Sequence, residues 1–237
     1  MSIEAPPLTT QPHTALPRSA RRWVPWDGSP TRADLFCWYA IAAMAVYYMA
    51  IWPLRPFLIG TNAVLLALLT GAKEAVIAAG AFAATGSYPL VVAVLAATFG
   101  MMKFDPVQWW AGKLWGPAIV ERFARRSRAA VWFAARAEGM SPWLMMPAVA
   151  LAPWTPFPAS LVYAAAGWTG MRLRTFLLVD GIGTVIRSVV YAGLGFAIGQ
   201  PAVDVAETIS ANGIWVSIGI VLVAVVVQWW RRRRSPR

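Results

Sequence analysis

Three apolar stretches of this chain carry ionisable side chains where a membrane protein would be expected to exclude them. "TGAKEAV" (Thr70–Val76) sets Lys73 and Glu74 inside an apolar segment, and "GMMKFDPVQWWAGKLWG" (Gly100–Gly116) carries Asp105 and Lys113. "VDGIGTVIR" (Val179–Arg187) carries Asp180, Thr184 and Arg187. A charge at membrane depth costs about 2.5–3.5 kcal/mol even on the lenient insertion scale, so each such residue is a candidate for function. Glu74 reads as a proton carrier, or else as half of a Lys73–Glu74 pair at a water-exposed hairpin tip. Asp180 and Arg187 are seven apart and share one helical face, with Thr184 between them and Tyr191 one turn beyond. Arg187 is suited to contact a phosphate; alternatively, Asp180 and Arg187 neutralise each other. Asp105 and Lys113 read either as substrate-contacting groups or as helix-end residues snorkelling at the cytoplasmic rim.

Other chemistries lack their residues. His13 is the single histidine and lies in a polar N-terminal tail, and Cys37 is the single cysteine and lies in an apolar run. A His-based triad, a cysteine metal site and a disulfide within one chain are therefore not supported. The "GIG" at 181–183 falls inside an apolar span and has no dinucleotide-binding context. The expectation is a protein that is not an enzyme and needs neither metal nor cofactor.

The elements that must position these residues follow from composition. Hydrophobic residues make up 59% of the chain and charged residues 13%, more apolar surface than a soluble fold of this size could bury. The formal charge of +11 gathers in blocks beside apolar spans, which points to topology and lipid headgroups rather than to nucleic acid. Residues 1–33 read as a disordered cytoplasmic tail, 34–230 as one polytopic membrane domain, and 231–237 as a basic cytoplasmic tail. Full spans are expected at Leu35–Trp52, Pro89–Met102, Thr175–Gly199 and Gly213–Trp230. Pro117–Arg136 reads as a basic amphipathic helix on the membrane surface, preceded by Trp109, Trp110 and Trp115 at headgroup level.

Two segments read as broken. Phe57–Gly86 is interrupted by the Lys73–Glu74 pair, and Pro142–Gly170 contains "LAPWTPFPAS". Pro153, Pro156 and Pro158 cannot sit in a straight lipid-facing helix, because the carbonyls they free need partners. With Thr155, they read as the turn of a hairpin. If both broken segments crossed the membrane, the Arg-rich 117–136 segment would lie outside, against the charge rule. If both are re-entrant hairpins, every basic block lies inside. The predicted fold is therefore an all-α integral membrane protein, with about four transmembrane helices, two opposed re-entrant hairpins forming an inverted repeat, and a basic amphipathic helix. "AAGAFAATG" (78–86) and "AAAGWTG" (164–170) are a faint sequence echo of that repeat.

Gly100–Gly116, with Asp105, Trp109, Gly112, Lys113 and Gly116, resembles the glycine–aspartate–aromatic–glycine–basic–glycine signature of DedA-type proteins, the bacterial branch of the VTT (SNARE-associated Golgi protein) superfamily. "PWTPFPASLVYAAAGWTGMRLRTFLLVDGIG" resembles the second half of that motif, and the likeness covers roughly Leu58–Gly199. It implies two opposed re-entrant hairpins and a lipid scramblase, flippase or proton-dependent transporter, with some members handling a polyprenyl phosphate. By register it makes Glu74 and Asp105 the counterparts of the family's membrane acids. Where the family places two arginines in the second hairpin, this chain has Ala150 and Pro156.

The expected function is movement of a lipid or amphiphile across a bacterial plasma (inner) membrane, possible proton coupling included. Both termini would be cytoplasmic, and membrane lipids (a phospholipid or polyprenyl phosphate) would be the partners. The rival is a non-transporting scaffold or envelope-maintenance protein that recruits partners through its basic segments.

Overall fold

A computed structural model describes residues 25–26, 29–124, 142–155 and 158–213, together with 215, 217–219, 222, 223, 226 and 230. The described residues form helices and their connections, with no strand among them. Three apolar helices are long enough to cross a membrane: Arg32–Thr61, Leu90–Gly116 and Leu173–Ile198. The expected fourth span, 213–230, lies partly outside the described residues.

The first long helix is α1 (Arg32–Ile51), continued by a 3-10 turn (Trp52–Leu54) into α2 (Arg55–Thr61). Pro53 and Pro56 are tolerated because each falls at the start of a new helical segment, where a missing N–H costs no hydrogen bond. This apolar helix is thus longer than the expected Leu35–Trp52 and takes in the first residues of the expected broken segment, Phe57–Thr61. Thr31 caps α1: its Oγ1 accepts from the Asp34 N–H at 3.2 Å, and Asp34 Oδ2 accepts from the Thr31 N–H at 2.9 Å.

Helices α3 (Ala63–Thr70) and α4 (Lys73–Ala84) form a helix–turn–helix pair, followed by α5 (Leu90–Met102) and α6 (Asp105–Ala124). Gly71, at φ 63°, makes the turn between α3 and α4. Together, α5 and the first part of α6 make the apolar stretch Leu90–Gly116. That corrects the expected end of this span at Met102. "KFDP" does not close the helix at a rim but restarts it, with Asp105 in the first turn of α6 and Pro106 beside it. The backbone leaves helical angles at Trp115 (φ −129°, ψ 20°), and the helix resumes through residues 117–124. The rest of the expected basic helix, 125–136, lies outside the described residues.

A second helix–turn–helix pair follows. It comprises α7 (Pro142–Leu151), a 3-10 turn (Ala152–Trp154) and α8 (Ala159–Trp168), and leads into α9 (Leu173–Ile198) and α10 (Gln200–Ala211). The expected third span, Thr175–Gly199, matches α9 closely. The segment holding Asp204 and Glu207 is the amphipathic α10, which packs against α2. There Gly60 meets the Ala206 carbonyl, and Ser210 Oγ donates to the Phe57 carbonyl at 2.7 Å.

The sequence echo corresponds to a shared local structure. At the end of α4, Thr85 Oγ1 donates to the Phe82 carbonyl, Gly86 takes φ 83°, and the Ser87 N–H reaches back to Phe82. At the end of α8, Thr169 Oγ1 donates to Ala166, Gly170 takes φ 81°, and the Met171 N–H reaches back to Ala166. Both ends are Schellman caps, and each needs a residue free to adopt positive φ.

The two helix pairs pack crosswise: α4 lies along α9, while α8 lies along α6. Both contacts are made by small residues. A Cβ on Gly195 would sit 1.8 Å from the Ile77 carbonyl oxygen, and one on Gly112 would sit 1.8 Å from that of Ala164. Where no water drives apolar association, such close backbone approach supplies the packing energy between helices.

Candidate functional site

The centre of the Leu90–Gly116 span is polar. Lys103 lies thirteen residues from either end of it (103 − 90 and 116 − 103). At a rise of 1.5 Å per residue that is about 20 Å from each end, close to the middle of a hydrocarbon layer about 30 Å thick. The Lys103 ammonium donates to the Leu68 carbonyl at 3.1 Å, to the Leu69 carbonyl, and to Tyr47 Oη at 3.2 Å. It also lies over the rings of Tyr47 and Phe104. The last carbonyls of a helix carry partial negative charge and no intrahelical partner, so a cation at the end of α3 satisfies both needs.

Two residues beyond Lys103, Asp105 is buried and within electrostatic reach of Asp180, Tyr163 and Arg187. The span α9 crosses here: Ser188 Oγ lies 3.8 Å from Met101 Sδ, and Gly181 faces Met102. On α9, Asp180, Thr184 and Ser188 are buried, and Arg187 and Tyr191 are half-buried. Leu178, Ile182, Val185, Ile186 and Val189 take the outer face. The face expected from the spacing of Asp180, Thr184 and Arg187 is thus the inner one.

This cluster is polar yet incompletely satisfied. Among the described residues, both carboxylate oxygens of Asp180, Oγ1 of Thr184 and Nε of Arg187 have no hydrogen-bond partner, and the same holds for Oε1 of Gln108 on α6. Tyr163 and Asp105 are close enough to Asp180 to interact with it electrostatically, but neither completes a hydrogen bond of good geometry in this conformation. An unsatisfied buried polar group costs about 1–3 kcal/mol, so several together mark a place that water or a ligand group would complete.

Glu74 is elsewhere. It lies in the first turn of α4 with its side chain 58% exposed, and it pairs with Arg55 (Nη1 to Oε1, 3.7 Å) rather than with Lys73, which is also exposed. Lys113 is exposed and lies over the Trp109 ring at 5.4 Å. Trp109 and Trp115 are buried within the protein. Trp109 Nε1 donates to the Met171 carbonyl at 3.1 Å, and Trp115 Nε1 donates to Asp34 Oδ1 at 2.7 Å. Pro153 lies in the 3-10 turn, Thr155 is extended and bonds back to the Ala152 carbonyl, and Pro158 precedes α8. Pro156 lies outside the described residues.

Lys103, Gln108, Tyr163 and Arg55 were not singled out from sequence. The signal for Lys103 was present, since it stands at the centre of an apolar stretch just as Glu74 does. Among the described residues no group of three His, Cys, Asp or Glu side chains converges as a metal ion would need. No family model, curated protein or solved structure matches the chain.

Proposed function

We propose that this protein moves or scrambles a lipid or amphiphile across the bacterial plasma membrane, as a DedA/VTT-type protein with two opposed re-entrant hairpins. The carrying observation is the buried, partly unsatisfied cluster of Asp180, Thr184 and Arg187 beside Asp105, where two apolar helices cross. In a static membrane bundle, such groups would pair fully or be replaced by apolar residues. Left incomplete at midspan, they offer a polar step across the hydrocarbon layer. Asp105 and Asp180 are the carboxylates suited to take up and release a proton; Glu74, exposed and paired with Arg55, stands near the turn of the first helix pair.

Two further features support the reading. The identical caps of α4 and α8, and their crosswise packing on α9 and α6, are what an inverted repeat requires. The backbone at Ala150, where the resemblance calls for an arginine, approaches Gly183 one turn before Arg187. An arginine on α9 therefore takes over the phosphate contact that the hairpin lacks.

The test is scrambling of a fluorescent phospholipid in proteoliposomes. Asp180→Asn is expected to lower the rate at least about tenfold, the scale of one charge-assisted interaction. Glu74→Gln should lower it less. A wild-type rate in Asp180→Asn and Asp105→Asn would overturn the proposal and leave the scaffold reading, in which the arginines of 117–136 matter instead.

A further inference from the structure

A cleft of about 620 Å³ opens where the end of the Leu90–Gly116 span meets the turn between α8 and α9. Its wall includes Trp109, Trp110, Gly170 and Leu173, and its two cations are Lys113 and Arg172. The size suits a ligand group. We infer that this cleft binds the phosphate of an anionic lipid, with the acyl chains leaving along Trp110 and Leu173. The inference rests on the lipid-moving reading above and assigns it a headgroup site separate from the midspan cluster.

Depth is the first argument. Lys113 lies ten residues beyond the midspan Lys103, about 15 Å along the helix, which is half the hydrocarbon thickness. That places it at the level where lipid phosphates begin. Charge is the second. Both cations are exposed, and no carboxylate pairs with either among the described residues. Lys113 is held over the ring of Trp109, and that indole is fixed by its bond to the Met171 carbonyl, so the ammonium is positioned before any ligand arrives.

Shape is the third. At Gly170 a Cβ would meet nothing within 4 Å, so the turn leaves open space beside Arg172. Arg172 also begins α9 without any side-chain cap, leaving the first N–H groups of a 26-residue helix available on the same side. A phosphate offers the negative charge and several acceptors that these groups need, whereas a choline or sugar headgroup without charge offers less. The apolar wall then distinguishes a lipid from a free anion.

The experiment is native mass spectrometry of the full chain released from detergent, with phosphatidic acid, phosphatidylcholine or inorganic phosphate added. Wild-type protein is expected to retain phosphatidic acid over phosphatidylcholine. The Lys113→Gln/Arg172→Gln double variant should lose that retention by at least about tenfold, the scale of one hydrogen bond to a charged group. Leu173→Trp, which fills the cleft without changing charge, should lose it as well. Equal retention by the wild type and both variants would overturn the inference. So would displacement of the lipid by equimolar inorganic phosphate, which would make the site one for a soluble anion. Asp180→Asn should keep its bound lipid. Loss of scrambling without loss of retention thus separates the midspan cluster from this cleft, and retention in a protein that never scrambles would sink the transport reading alone.

Discussion

The two helix–turn–helix pairs share an outline and differ at their tips. In the first, Gly71 turns the chain in a left-handed conformation, Thr70 Oγ1 bonds back to Leu66, and Lys103 arrives from another helix to hold the Leu68 and Leu69 carbonyls. In the second, α7 carries Pro147 inside it, a 3-10 turn follows its last residue, and Thr155 Oγ1 satisfies the Ala152 carbonyl locally at 3.0 Å. Trp154 at that tip is exposed and stacks on Tyr191 of α9, with centroids 6.1 Å apart. One tip is tied by a cation bound to three groups of other elements. Among the described residues, the other holds its Ala152 carbonyl locally and touches α9 through an aromatic face. The first tip is joined to other elements by hydrogen bonds, the second by a ring stack.

Three substitutions test that contrast, in descending order of effect. Gly195→Leu should disrupt the α4–α9 contact that carries the first pair, because its Cβ would sit 1.8 Å from the Ile77 carbonyl oxygen. A loss of about 3 kcal/mol is expected, read by thermal unfolding in detergent. A stability unchanged from wild type would mean that the crosswise packing is not what holds the pair.

Lys103→Met removes the imported cation while keeping the length of the side chain. It should cost about 2 kcal/mol and speed hydrogen exchange at Gly71 and Ala72, leaving amides near Ala152 as they were. Equal acceleration at both tips would erase the distinction between them. Thr155→Val, the smallest of the three, removes a single local bond and should cost about 1 kcal/mol or less, with faster exchange confined to the second tip. A response at Leu68–Ala72 would show that the tips are coupled after all.

Much of the architecture was legible in the chain because hydropathy reports it directly. The long span Leu173–Ile198 follows from a run of apolar residues, and its inner face from the spacing of Asp180, Thr184 and Arg187. The breaks were legible too: proline has no N–H to donate, wherever the chain goes next. The end of the Leu90–Gly116 span was misplaced because "KFDP" looks polar enough to leave the membrane. Lys103 stays inside because its partners lie on α1 and at the end of α3. The acceptors that the Trp109 and Trp115 indole N–H groups find, Met171 and Asp34, are ones that sequence proximity does not reveal.

The sequence by itself determined that this is a helical membrane protein, which residues break its helices, and that Asp105, Asp180, Thr184 and Arg187 stand in apolar surroundings. Those properties are local, set by side-chain polarity, backbone restriction and the 3.6-residue repeat. Only the tertiary structure decided that Asp105 and Asp180 share one buried centre while Glu74 stands apart with Arg55, and that Lys103 holds the turn of the first helix pair. The spacing of residues along a helix fixes a direction. Which helix lies opposite is decided by close approach at Gly80, Gly112, Gly167 and Gly195, and so by packing across the whole chain.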